Sequence, residues 1–95
     1  MGKKETYEQK LQAQLDEWEA EIGKLKAKAD KAKADSKLEY NEQIENLHAK
    51  IAAANEKFVE LKNAGDEAWE DHKTGVEGAW DSLDKAFKSA SSKFH

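Results

Sequence analysis

Glu45 and His48, in the phrase "ENLH", are the residues whose types and spacing come nearest to a recognisable chemistry. A Glu-x-x-His pair sets a carboxylate and an imidazole one turn apart on a single helix face, as di-iron four-helix proteins do to present two metal ligands. Such a site needs a second pair and two further inward Glu. The chain contains no second Glu-x-x-His, and Glu45 falls just beside the apolar positions, on the exposed side. The pair reads as solvated residues on a charged helix, and no metal or cofactor is expected. His72 is placed differently, on the apolar stripe between Trp69 and Val76. A buried imidazole changing charge near pH 6.5 would weaken packing on acidification. A half-exposed one would simply stack on tryptophan, which suits the intermediate burial usual for His. Ser82, Ser89, Ser91 and Ser92 lie on or beyond a helix, with no Gly-x-Ser-x-Gly elbow to activate them. Gly65, Gly75 and Gly78 are isolated in helical context and form no phosphate loop. The residues therefore point away from an enzyme and from a small-molecule substrate.

Composition narrows the classes further. Apolar residues make up 38% of the 95-residue chain and charged residues another 38%, with no proline and no cysteine. A chain dominated by Ala, Glu, Lys, Leu and Asp reads as long helix or coiled coil. The net charge is −4, and all 16 basic residues are Lys. Nucleic acid is a poor partner for such a surface, because phosphate recognition favours a basic face and the bidentate Arg fork. No apolar run approaches the ~20 residues that span a bilayer, so a soluble cytoplasmic protein is the default expectation. Gly2 and Thr6 formally fit the myristoylation pattern; a charged, frayed start explains them equally well.

The elements that would position these residues are set by apolar periodicity. Leu11, Leu15, Trp18, Ile22, Leu25, Ala29 and Ala32 step by four and three, the seam of a coiled coil. Through "KAKADKAKAD" only Ala occupies the seam, and it resumes with Tyr40, Ile44, Leu47, Ile51, Ala54, Phe58 and Leu61 after a four-residue insertion in the heptad count. Beyond Phe58 the spacing becomes eleven: Phe58 to Trp69 to Trp80, Gly65 to Val76 to Phe87, and Leu61 to His72 to Leu83 to Phe94. Eleven residues at 3.6 per turn return a side chain to almost the same face. "NAGD" at 63–66 is the strongest break signal, with Gly65 expected as a left-handed C-cap and Asp66 as the next N-cap. "SKLE", from Ser36 to Glu39, is a capping box that would start a helix near 35–36. With both breaks the chain divides into helices at roughly 4–34, 36–63 and 66–94; without the second, one helix of some 58 residues precedes Gly65.

The segment "VEGAWDSLDKAFKSASSKF" carries Val76, Trp80, Leu83, Phe87 and Phe94 on one face among small residues. Bulky aromatics opposite a Ser-rich, lightly charged side resemble peripheral lipid-packing sensors. Between Asp66 and Asp84, however, carboxylates far outnumber the single Lys73, which opposes anionic lipid. An amphipathic helix packed on another helix accounts for the same pattern.

The phrases "MGKKETYEQKLQAQLDEWEAEIGKLKAKADKAKAD", "NEQIENLHAKIAAANEKFVELK" and "DEAWEDHKTGVEGAWDSLDKAF" together resemble the small bacterial coiled-coil proteins grouped as a stress-response family first recognised in cyanobacteria. The likeness spans nearly the whole chain, and the tail with its two Trp is its most specific part. It implies a bacterial, cytoplasmic, non-enzymatic helical protein linked to stress, and it brings no catalytic residues. Gly78 and His72 stand where Ala and an apolar or long residue are expected, so looser packing is anticipated there.

The sequence thus leads to a single all-α coiled-coil domain over residues 1–95, in which residues 66–94 fold back antiparallel on 36–63 as a helical hairpin; a three-helix bundle is the alternative. In the hairpin register Trp69 faces Leu61, His72 faces Phe58, Trp80 faces Ile51 and Phe87 faces Ile44. The stripe Leu11, Leu15, Trp18, Ile22 and Leu25 is left without a partner in the chain, and an exposed stripe of that length marks an interface. With Trp69, Trp80, Leu83 and Phe87, these are the expected partner-contact residues. A homodimer is the expected assembly, and a membrane surface reached through 66–94 is the competing one.

Overall fold

The computed structural model describes residues 2–94, the side chain of Phe94 excepted. Those residues form three helices and no strand: α1 (Lys3–Lys31), α2 (Ala34–Asn63) and α3 (Asp66–Phe94). The all-α class read from composition and periodicity is the observed one. The chain gathers into two compact units, residues 1–44 and 45–95. The first holds α1 with the opening turns of α2, and the second holds the remainder of α2 with α3. Because Phe94 closes the described residues, its expected place on the aromatic face lies outside them.

Each helix buries one stripe. In α1 it is Leu11, Leu15, Trp18, Ile22, Leu25 and Ala29; in α2 Ile44, Leu47, Ile51, Ala54, Phe58 and Leu61; in α3 Trp69, Val76, Trp80, Leu83, Phe87 and Ala90. These are the positions that the three-and-four spacing selects. Full burial of a Leu, Ile, Val or Phe side chain contributes roughly 1.5–3 kcal/mol, so each stripe outweighs the few tenths per residue that helix propensity supplies. No polar or charged residue is buried among those described. One expectation is overturned here. The stripe Leu11, Leu15, Trp18, Ile22 and Leu25 was expected to lie open, yet each of these side chains is at most 8% exposed in the isolated chain. All three helices contribute side chains to the buried surface.

Both connections are two residues long and are built alike. The N–H of Ala32 donates to the carbonyl of Ala29 at 3.1 Å, and the N–H of Ala64 donates to that of Leu61 at 3.2 Å. Each is an i→i−3 bond that tightens the last helical turn and satisfies one of its orphan carbonyls. The first connection, Ala32–Lys33, lies ahead of the expected break, and Ser36 sits inside the first turn of α2 rather than capping it. Ala32 turns the chain by adopting extended dihedrals, φ −79° and ψ 158°, which any residue can reach and which therefore leave no Gly or Pro signature. The second connection is Ala64–Gly65. Gly65 is not the left-handed C-cap expected of it, since no described residue has a positive φ. Instead its carbonyl accepts from the N–H groups of Ala68 at 3.1 Å and Trp69 at 2.9 Å, so it is the N-cap of α3, a place glycine tolerates well. Asp66 and Glu67 follow in the first turn, where carboxylates complement the helix dipole.

Gly78, in the middle of α3, is exposed, and a Cβ built on it meets nothing within 4 Å. It therefore does not loosen the core, and it lowers helix stability only through backbone entropy. Gly78→Ala should raise stability by about 1 kcal/mol, read as a rise in thermal midpoint of roughly 4–8 °C for a chain of this size. Gly65→Ala is also free of clash and of a positive φ. The gain from a less flexible unfolded chain, about 0.4–1 kcal/mol, is opposed by the poorer N-capping of Ala, about 0.5–1 kcal/mol, so melts at low micromolar concentration should shift by less than about 4 °C.

Candidate functional site

The residues expected to make partner contacts are all core residues. Leu11, Leu15, Trp18, Ile22 and Leu25 are buried, as are Trp69, Trp80, Leu83 and Phe87. Within the second unit the structure joins α3 to α2 through the aromatic pair Phe58 and Trp80, with ring centroids 5.7 Å apart and planes at 64°. This edge-to-face geometry is worth about 0.5–1.5 kcal/mol beyond area burial. The expected register had set His72 opposite Phe58 and Trp80 opposite Ile51. Helical side chains lean toward the N-terminus of their own helix, so in an antiparallel pair the two large rings lean toward each other and meet. Backbone register alone does not show that reach. The Nζ of Lys62 lies over the Phe58 ring, 4.6 Å from its centroid, and Lys73 covers Trp69 at 5.7 Å. The lysines contribute their aliphatic stems to covering the core while their charges stay in water.

His72 is half-buried, with its Nδ1 3.9 Å from Glu60 Oε2. Glu45 and His48 are both exposed, and no group of three or more His, Cys, Asp or Glu capable of holding a metal occurs among the described residues. Ser82, Ser89, Ser91 and Ser92 are exposed on α3. No described helix is long and apolar enough to cross a membrane.

One concavity lies between α2 and α3, an open groove of about 490 Å³ lined by Lys50, Ala53, Ala54 and Lys57 on one side and Thr74, Gly75, Gly78, Ala79 and Ser82 on the other. The signal for it is in the sequence, as small residues recurring at helical spacing along "TGVEGAWDS", but a reading centred on the apolar stripe passes over them. The groove exists because these side chains are too short to fill the space between two helix backbones. Beyond it, α3 is dressed with ion pairs along its own surface: Lys85 to Asp81 at 3.1 Å and Lys88 to Asp84 at 2.9 Å. The hydrogen bond to Asp84, with that carboxylate's charge, holds the Lys88 ammonium above its ordinary range. Pairs so exposed contribute little to stability.

No family model, curated protein or solved structure matches the chain.

The contact between Phe58 and Trp80 generates a quantitative test. Trp80→Ala should cost about 3–5 kcal/mol, the usual range for truncating a buried aromatic. A double-mutant cycle with Phe58→Leu should return a coupling of about 0.5–1.5 kcal/mol, measured by urea unfolding. Trp18, Trp69 and Trp80 are each at most 8% exposed. The native emission should accordingly be blue-shifted and poorly quenched by acrylamide, without any lipid present.

Proposed function

We propose that this chain is a non-enzymatic helical interaction protein that associates with further copies of itself, in the bacterial, cytoplasmic and stress-linked setting that its family resemblance implies. The observation that supports this reading is the separation of core from surface. Every buried residue among those described is apolar. Catalysis draws on polar groups preorganised where water is excluded, and the described core offers packing alone. What remains to carry function is the length of the helices and the faces they present. Self-association follows the same logic, since a stripe that closes within one chain can close equally well against the same stripe in a second chain.

A second reading, binding to a membrane surface through α3, is favoured by one feature: Trp69, Trp80 and Phe87 share a face of a helix whose exposed side carries Ser82, Ser89, Ser91 and Ser92. Those aromatics are buried in the protein, so lipid would have to displace α2 to reach them, and the acidic first half of α3 works against anionic headgroups.

Light scattering across the micromolar to millimolar range separates these readings. Because the stripes are already buried within one chain, the mass should rise toward two chains with concentration while helicity per residue stays constant. A monomer at every concentration would overturn the self-association reading. Co-sedimentation with phosphatidylcholine vesicles, with and without phosphatidylglycerol, should leave the protein in the supernatant. Pelleting that Trp80→Ala abolishes, in a variant that melts like the parent, would replace the first reading with the second.

A further inference from the structure

We infer that the Ala64–Gly65 connection is a hinge at which α2 and α3 join into one continuous helix, so that α3 is exchanged with a second copy of this chain. The inference rests on the self-association proposed above and supplies its mechanism.

The first support is phase. The last buried positions of α2 are Ala54, Phe58 and Leu61, and the first of α3 are Trp69, Val76 and Trp80. From Leu61 the count runs four to Gly65, four to Trp69, three to His72, four to Val76 and four to Trp80. That is the stepping of one uninterrupted amphipathic helix. A two-residue turn imposes no such continuity, because it reorients the second helix and lets its stripe begin at any phase. Here the stripe passes through the turn unbroken, with Gly65 itself on it. Straightened, residues 34–94 would form a helix of about 90 Å whose apolar side remains a single stripe.

The second support is the turn itself, which holds the bend weakly. No proline lies in the chain and no described residue takes a positive φ. A Cβ on Gly65 would meet nothing within 4 Å, so the surroundings neither grip the hinge nor require glycine. Entry of Ala64 and Gly65 into a helix would replace the single i→i−3 bond from Ala64 to Leu61 with ordinary i→i−4 bonds. The main resistance is the poor helix propensity of Gly65. The third support is that exchange restores what it breaks. The α3 of one copy seats on the α2 of the other with the Phe58 and Trp80 rings in the same edge-to-face contact, and Lys62 over Phe58 and Lys73 over Trp69, each within its own helix, are kept throughout. Short connections with this property are the usual origin of exchanged dimers.

The chain has no cysteine, so spin labels can be attached at Lys50→Cys and Ser82→Cys, which line opposite sides of one groove. Doubly labelled chains are diluted into unlabelled protein, refolded at millimolar concentration and separated by size; the distance within a chain is then read by pulsed electron resonance. The monomer should keep the short distance across the groove. The dimer should show about 48 Å, the length of the intervening helix at 1.5 Å per residue. Gly65→Ala should raise the dimer fraction severalfold, and insertion of Gly-Ser-Gly between Ala64 and Gly65 should abolish it while circular dichroism confirms retained helix. A dimer that keeps the short distance, or forms equally with the insertion, overturns the hinge and leaves self-association standing. A chain that stays monomeric after refolding overturns both.

Discussion

An amphipathic helix of about thirty residues cannot remain alone in water with six apolar side chains on one face, and this chain contains three of them. It has no cysteine to form a disulfide, and no polar or charged residue is buried among those described. Closure of the three stripes is therefore the one favourable term large enough to oppose a conformational entropy cost of roughly 1–2 kcal/mol per residue. The remaining features follow from it. The helices have nearly equal lengths, 29, 30 and 29 residues, as expected if each stripe needs a counterpart of its own extent. The connections are as short as helices returning on themselves allow. Even the charged surface serves this end: Lys62 and Lys73 lay their stems over Phe58 and Trp69 and narrow the access of water to the ring faces.

How much of this was legible depends on the kind of information each feature needs. The stripes were readable because burial selects by period, and a step of three or four residues is written directly in Leu11, Leu15, Trp18 and their successors. Gly65 was readable as a break but not in its role. A glycine near a helix end suggests a left-handed C-cap, whereas here it serves as an N-cap whose carbonyl receives Ala68 and Trp69. The turn at Ala32–Lys33 left no mark, because both residues have strong helix propensity and Ala32 bends the chain by extended dihedrals open to any amino acid. The capping box from Ser36 to Glu39 drew the break too late for the same reason: a local motif can mark a helix start only where tertiary packing agrees. The burial of the α1 stripe was hidden because periodicity shows which face of a helix is apolar and not what lies against it.

The candidate sites show the same division. Glu45 and His48 match a metal-binding spacing and are solvated. His72 matches a seam position and is half-exposed beside Glu60. In each case spacing fixed the face of the helix but not what stood opposite, and chemistry depends on the latter. The Phe58 and Trp80 contact illustrates the converse, since both residues were placed on the seam while their meeting required the lean of side chains along antiparallel axes. The groove beside them arises from what is small, at Ala53, Gly75 and Ser82, and so is written in the sequence as missing volume rather than as a motif.

The surface of α3 bears on how this helix would keep its fold through the exchange inferred above. Its ion pairs, Lys85 with Asp81 and Lys88 with Asp84, are local to the helix, as is the acidic first turn that complements the dipole. These pairs stay within α3; His72 alone of the pairs named above reaches α2, at Glu60, and exchange would offer it the same residue on another copy. Contacts that hold α3 as a helix are thus largely separate from those that hold it in place, and the latter are mainly apolar and non-directional. A protein built this way stores its specificity in the position of large side chains along the stripe. Trp80 fits against Phe58 whichever chain supplies it, and a shift by one turn would set the indole against the short side chain of Ala54. Trp80 therefore acts as a register mark, opposing the sliding of an otherwise repetitive Ala, Lys and Glu helix along α2.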